Sequence, residues 1–163
     1  MILEFLLPDA PLLREIAKPV KEFGTVELQI LIENMFETMR EGRGVGLAAP
    51  QVGIPLRVIV FEFSGSERAP DANPIPPTVL INPRISYAEG EVEDWEGCFS
   101  VPGQRGWISR PNLIHYQAQG LYGEHLEGEA EGFHARIIQH EIDHLNGILY
   151  PDIANRIELF ERT

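Results

Sequence analysis

Near the end of the sequence stands Gln139-His140-Glu141-Ile142-Asp143-His144, and the single cysteine, Cys98, lies in the string Glu96-Gly97-Cys98-Phe99-Ser100. Histidines four residues apart share one helix face, with β-carbons roughly 5–6 Å apart. That spacing lets two imidazoles grip one cation, and the glutamate beside the first can act as a general base on water. Cys98 can supply a third protein ligand, which leaves one coordination position open for chemistry. The implied chemistry is hydrolysis at a metal centre with an unusual thiolate ligand.

Other readings fit parts of the same pattern. The two histidines could decorate a solvated helix face, and Cys98 could be a small buried apolar residue. A nucleophilic Cys–His pair leaves the second histidine and the glutamate unexplained. A closed structural zinc site would need a fourth protein ligand, and His115, His125 and His134 lack ligand spacing. His115 and His125 read as surface residues of strands or turns. His134, six before His140, falls off the metal-facing side and reads as structural.

The elements that must carry these groups follow from periodicity. A helix is predicted from Val26 to Arg40, with Leu28, Leu31, Ile32, Met35, Phe36 and Met39 on one stripe. Thr25 is its N-cap and Gly42 its terminator. A second helix runs from Gly132 to Asn146-Gly147, with Ile138, Ile142 and Leu145 on one face and His140, Glu141 and His144 on the other. Pro11 to Ala17 forms a short helix ending before Pro19. Strands are expected at Arg57–Phe63, at Thr78–Tyr87 with a break at Asn82-Pro83, at Trp107–Ser109, at Leu113–Gln119 and over Glu124–Glu129. Gly44 to Gln51 reads as a small-residue loop outside the core, and Ser64 to Pro77 as a surface loop. Several short strands and two long helices make one compact α+β domain over residues 1–163, with no internal linker.

The chain has 163 residues, 44% hydrophobic, enough for one domain with a real core. No apolar run reaches the roughly 18 residues of a membrane span, and the N-terminal stretch lacks a basic region and a small-residue cleavage site. A cytoplasmic protein is expected. The formal net charge of -12 argues against direct nucleic-acid or anionic-lipid binding.

Three strings together resemble the peptide deformylase family, whose motifs have the form GxGLAAxQ, EGCxS and QHExDH. They stand here complete and in that order as Gly44–Gln51, Glu96–Ser100 and Gln139–His144. The continuations VPGQR and LNG fit as well, so the resemblance covers most of the chain. It implies short antiparallel or mixed strands around a central HExxH helix. It implies that Cys98, His140 and His144 bind a divalent metal, iron(II) in the cell, replaceable by zinc, nickel or cobalt. A thiolate ligand would expose the site to oxidation. The reaction implied is removal of the N-terminal formyl group from formylmethionine of nascent polypeptides, with release of formate.

The roles carried over are specific. Glu141 moves the proton, and the Gln51 side chain and the Phe99 backbone N–H stabilise the developing oxyanion. Gly44 and Gly46 let the backbone approach the substrate; without a strand–turn–helix context they do not read as a phosphate loop. Val45 and Ile137 line the side-chain pocket, Phe133 closes it, and Arg105 contacts substrate. Glu96 orients a histidine ligand, and Asp143 pairs with Arg110. Three features depart from the family pattern. Phe99 replaces the commonest leucine, narrowing the entrance. Asp94 and Arg136 occupy positions that are often apolar, which would widen or polarise side-chain preference. The tail from Asp152 to Thr163 is short and mixed in charge, unlike the longer basic helix with which some members dock on the ribosome, so ribosome association would be transient. A metalloprotease or other metal amidase shares HExxH but not the other two strings. A deformylase-like binding protein without turnover would not need intact Glu141 and Gln51.

Overall fold

The structure is a computed structural model and describes residues 1–161. The last two residues of the predicted domain and tail lie outside the described residues. Helix α1 spans Val26–Glu41, opened by the Leu28 N–H donating to Thr25 Oγ1 at 3.1 Å. Such a cap is worth about 1 kcal/mol. Gly42 ends it with φ −80°, and the left-handed turn falls on Arg43 instead, at φ 57°. The predicted terminator is therefore right in place but not in conformation. Pro11–Arg14 is a single 3-10 turn, shorter than the helix expected there.

Among the described residues eight strands follow: β1 Gly46–Ala48, β2 Val58–Phe63, β3 Ile75–Glu89, β4 Val92–Cys98, β5 Val101–Arg110, β6 Leu113–Gln119, β7 His125–Glu131 and β8 Arg156–Leu159. Helix α2, Gly132–Leu145, lies between β7 and β8 in sequence. The strands form a five-stranded sheet in the order β1-β2-β3-β6-β7 and a three-stranded sheet β4-β5-β8. Every ladder between them is antiparallel.

Strand β2 explains how the domain is layered. Its residues alternate between two cores. Ile59, Phe61 and Phe63 pack with Ile138, Ile142 and Leu145 of α2. Val58 and Val60 pack with Leu28, Ile32, Met35 and Met39 of α1. The helices thus cover opposite faces of the five-stranded sheet, and β2 is apolar except at the half-buried Glu62, because its other side chains are covered on both faces. Each of these aliphatic side chains contributes about 1.5–3 kcal/mol of burial. A third, smaller cluster gathers Cys98, Val101, Ile108, Leu149 and Tyr150. It joins the second sheet to the segment after α2.

Three sequence expectations change. Gly44–Gln51 is not a loop outside the core: it contains β1 and the 3-10 turn Ala49–Val52, and Leu47, Ala48 and Ala49 are fully buried. β3 is not broken at Asn82-Pro83 but bulged there. Asn82 takes φ 51°, and its side chain bonds Val20 and Gln119, so the strand carries on to Glu89. The loop after β2 ends at Pro74, where β3 begins early.

Candidate metal centre

Helix α2 and the β4–β5 hairpin build the centre between them. α2 presents His140, Glu141 and His144 on the side opposite its Ile138–Leu145 face, as the 3.6-residue period requires. The hairpin brings Cys98 up to them from the second sheet, with only Phe99 and Ser100 between the paired residues Cys98 and Val101. One donor atom each from Cys98, His140 and His144 lie within 4.8 Å of one another. Cys98 Sγ is 3.3 Å from His144 Nε2. The isolated readings of Cys98 as apolar filler and of the histidines as surface decoration fail on this geometry. The predicted surface roles of His115 and His125 hold, since both are exposed and pair with Glu129 and Glu127. His134 packs on Phe61 with ring centroids 5.6 Å apart, away from the centre.

The three donors suit a divalent transition metal, since one sulfur and two imidazoles are a donor set that would hold such an ion. The surroundings favour a cation. Burial opposes a charge on His140, yet hydrogen bonds with Cys98 and Glu96 and the charges of Glu141 and Glu96 hold it well above its ordinary pKa. Burial drives His144 well below its own, reinforced by the neighbouring His140. Burial also pushes the Glu141 carboxyl up to about 7. Glu141 Oε1 is buried without a hydrogen-bond partner among the described residues. An orphaned carboxylate oxygen beside three convergent donors is what a cation and its attacking water would satisfy.

Behind the donors lies a buried charge cluster. Glu96 Oε1 accepts from His140 Nδ1 at 2.8 Å, which turns His140 Nε2 toward Cys98 and His144. The same carboxylate accepts from Arg110 Nε at 2.5 Å and Nη2 at 2.8 Å, and from Arg136 Nη1 at 2.6 Å. Arg110 Nη1 also donates to Asp143 Oδ2 at 2.9 Å. Burial alone would raise the Glu96 pKa, but hydrogen bonds from Arg110 and His140 outweigh it and hold the carboxyl well below its usual range. Arg136, expected to polarise the pocket, lines the cleft and donates to Glu96 and to the carbonyls of Ile108 and Val92. Its position one turn before His140 on α2 was the available signal for this role. Asp94 is exposed and lines a separate groove.

The cleft over the donors has a volume of about 40 Å³. Gly44, Val45, Gly46, Gln51, Glu96, Cys98, Phe99, Phe133, Ile137, His140 and Glu141 line it, so most of the residues singled out in sequence meet here. Gln51 Oε1 accepts from the Ala48 N–H at 3.0 Å, which leaves Nε2 aimed at Cys98 Sγ (3.4 Å) and Ser100 Oγ (3.3 Å). Arg105 does not line the cleft. It pairs with Glu158 and stacks 4.1 Å from the ring of Trp95, which does line it. Arg68, from the loop after β2, also lines the cleft and lies over Phe133. That loop therefore borders the site, and residues Ala69 to Pro74 border the second groove beside it. Neither Trp95 nor Arg68 has a motif spacing that sequence could have flagged.

Gly46 has no room for a side chain. A β-carbon there would fall 2.6 Å from Glu141 Oε2. Gly46→Ala is expected to displace that carboxylate and lower turnover about 10²-fold, with the metal content kept. Steady-state kinetics beside metal analysis checks this.

A family model described as polypeptide deformylase matches residues 2–159. Peptide deformylase 2 of Bordetella bronchiseptica is 51% identical over 93% of this chain and 86% of its own length. Peptide deformylase 2 of Ralstonia nicotianae is 54% identical over 88% of this chain and 81% of its own. Among solved structures, the class I type b peptide deformylase of Acinetobacter baumannii with Met-Ala-Ser bound superposes with a TM-score of 0.91. It is 39% identical and covers 94% of this chain and 98% of its own. The Thermotoga maritima peptide deformylase gives a TM-score of 0.86 at 38% identity, over 96% and 99% of the two chains.

Proposed function

The chain belongs to the polypeptide deformylase family, and on that premise we propose how it works: it is a metal-dependent hydrolase that removes the N-terminal formyl group from formylmethionine of nascent polypeptides. The observation that carries the reading is the meeting of three metal-competent donors, the orphaned Glu141 carboxylate and the Gln51 amide in one cleft.

A divalent cation held by Cys98, His140 and His144 would supply Lewis-acid chemistry, polarising the formyl carbonyl and acidifying water. Glu141 takes the proton of the attacking water on its carboxylate and delivers it to the leaving amine nitrogen. As the formyl oxygen gains charge, Gln51 Nε2 and the Phe99 N–H donate to it. The backbone from Gly44 to Gly46 runs beside the peptide, and Val45, Phe133 and Ile137 receive the methionine side chain. Glu96 keeps His140 turned toward the ion, Arg110 and Asp143 hold Glu96 in turn, and Arg105 steadies Trp95 at the rim.

Iron(II) is the proposed cellular metal, with zinc, nickel or cobalt able to replace it, since a thiolate and two imidazoles accept all four. The proposed setting is the cytoplasm, where formylated nascent chains emerge, with at most transient ribosome contact and no direct nucleic-acid binding. The net charge of -12 supports that last point. Among the described residues no helix is long and apolar enough to cross a membrane.

Anaerobic purification, metal analysis and a formate-release assay on formyl-Met peptides test this. Formate is expected in proportion to bound metal, with acetylated and internal peptides left intact and activity lost on chelation and regained with iron(II). Cleavage of internal peptides without formate would make the protein a metalloprotease instead.

A further inference from the structure

The stretch from Leu3 to Leu6 touches both groups assigned above to the oxyanion, through different atoms. The Leu6 N–H donates to the Gln51 carbonyl at 2.7 Å. One residue earlier, the Phe5 ring stacks on Phe99, with centroids 4.3 Å apart and planes 7° from parallel. The far edge of the Phe99 ring lies against Gly42 and Gly44, where a β-carbon would come within 2.5 Å and 2.1 Å of it. The stretch is itself tied to α1 by the Leu3 N–H donating to Thr38 Oγ1 at 2.9 Å.

Phe99 stands at the tip of the β4–β5 hairpin, in the two-residue link between Cys98 and Val101. The tip lies outside the ladder, so the pairing of strands does not by itself fix the direction of its N–H. The ring does that: it is wedged between Phe5 and the two glycines, and a rotation of the tip peptide would have to drag it out. Gln51 is held likewise at its backbone by Leu6 and at its side chain by Ala48.

We infer that residues 3–6 form a strap that positions both oxyanion donors, with Phe5 as its positioning residue for formyl hydrolysis. Phe5 does not line the cleft and is no catalytic residue. It acts through Phe99, and its effect belongs to the transition state, where the donors meet developing charge, rather than to substrate binding. The inference rests on the deformylase reading.

Phe5→Ala is expected to lower kcat about tenfold, less than the full loss of one donor. KM should stay within about twofold, and metal content should be unchanged. Phe5→Tyr, which keeps a ring, should restore most of the rate. In a Phe99→Leu background, where no stack exists, Phe5→Ala should cost under about twofold, so the cycle is non-additive. If Phe5→Ala is insoluble, Phe5→Leu is put through the same measurements. A wild-type kcat in the Phe5 variants, an equal loss in both backgrounds, or a loss that tracks missing metal would overturn the strap alone. Wild-type protein that releases no formate from formyl-Met peptides would overturn the deformylase reading and the strap with it.

Discussion

Glu141→Gln loses turnover by about 10²–10⁴-fold while keeping its metal, because it removes a proton carrier and leaves all three donor residues in place. The glutamine matches glutamate in shape, so it keeps the packing against Gly46 that a smaller residue would abandon. The size of the effect follows from the environment. Burial pushes this carboxyl up to about 7, and a base does most near the working pH. A carboxylate on open surface would stay acidic and hold a proton poorly. Formate release and metal analysis on the same preparation make the check. Turnover equal to wild type would take Glu141 out of the reaction.

Glu96→Gln damages the protein in two ways at once. The carboxylate faces Arg110 and Arg136, both nearly inaccessible to solvent, and His140 besides. Removing its charge leaves buried Arg136 with backbone carbonyls alone and buried Arg110 with Asp143 as its one remaining carboxylate, and breaking a buried pair costs about 3–5 kcal/mol. The orientation of His140 loosens in the same step, for which outer-partner substitutions typically cost about 10–100-fold in metal affinity. The expected outcome is a lowered melting temperature in metal-free protein and a faster loss of metal to a competing chelator. Asp143→Asn is the milder comparison, since Arg110 would keep both contacts to Glu96. Unchanged melting in the Glu96 variant would mean that the two arginines find other partners.

What sequence could show depended on how local the cause was. Helix α2 was legible because His140, Glu141 and His144 on one side and Ile138, Ile142 and Leu145 on the other obey one period within fourteen residues. The α1 stripe and the Thr25 cap were legible for the same reason. β4 was missed because its letters, VEDWEGC, carry charges on an exposed stretch and bury only Glu96 and Cys98. Its strand character comes from pairing with β5 across the hairpin, which leaves little trace in hydrophobic alternation. Gly44–Gln51 read as a loop because small side chains suggest exposure. In the fold they are small because Glu141 and the Phe99 ring press against the backbone, and Ala48 and Ala49 are buried by separate cores on either side. The three candidate donors were suggested by residue type and drawn together as a set by the three motif strings, since Cys98 and His140 are brought together by a hairpin and a helix from different parts of the chain. The Glu96–Arg136 contact was not, although both letters were in view. Nothing in spacing says that a charge near a pocket is already claimed by another.

The chain has one sulfhydryl, and it is buried at the centre. A sulfenic acid formed on Cys98 would find no second thiol in the molecule with which to condense. The usual intramolecular escape, a reversible disulfide, does not exist here, so recovery falls to a small reductant diffusing into the cleft. Until that arrives, each oxidised molecule lacks one of the three proposed metal donors and stands one step from irreversible damage. Any repair of this thiol would then draw on low-molecular-weight thiol from outside the protein.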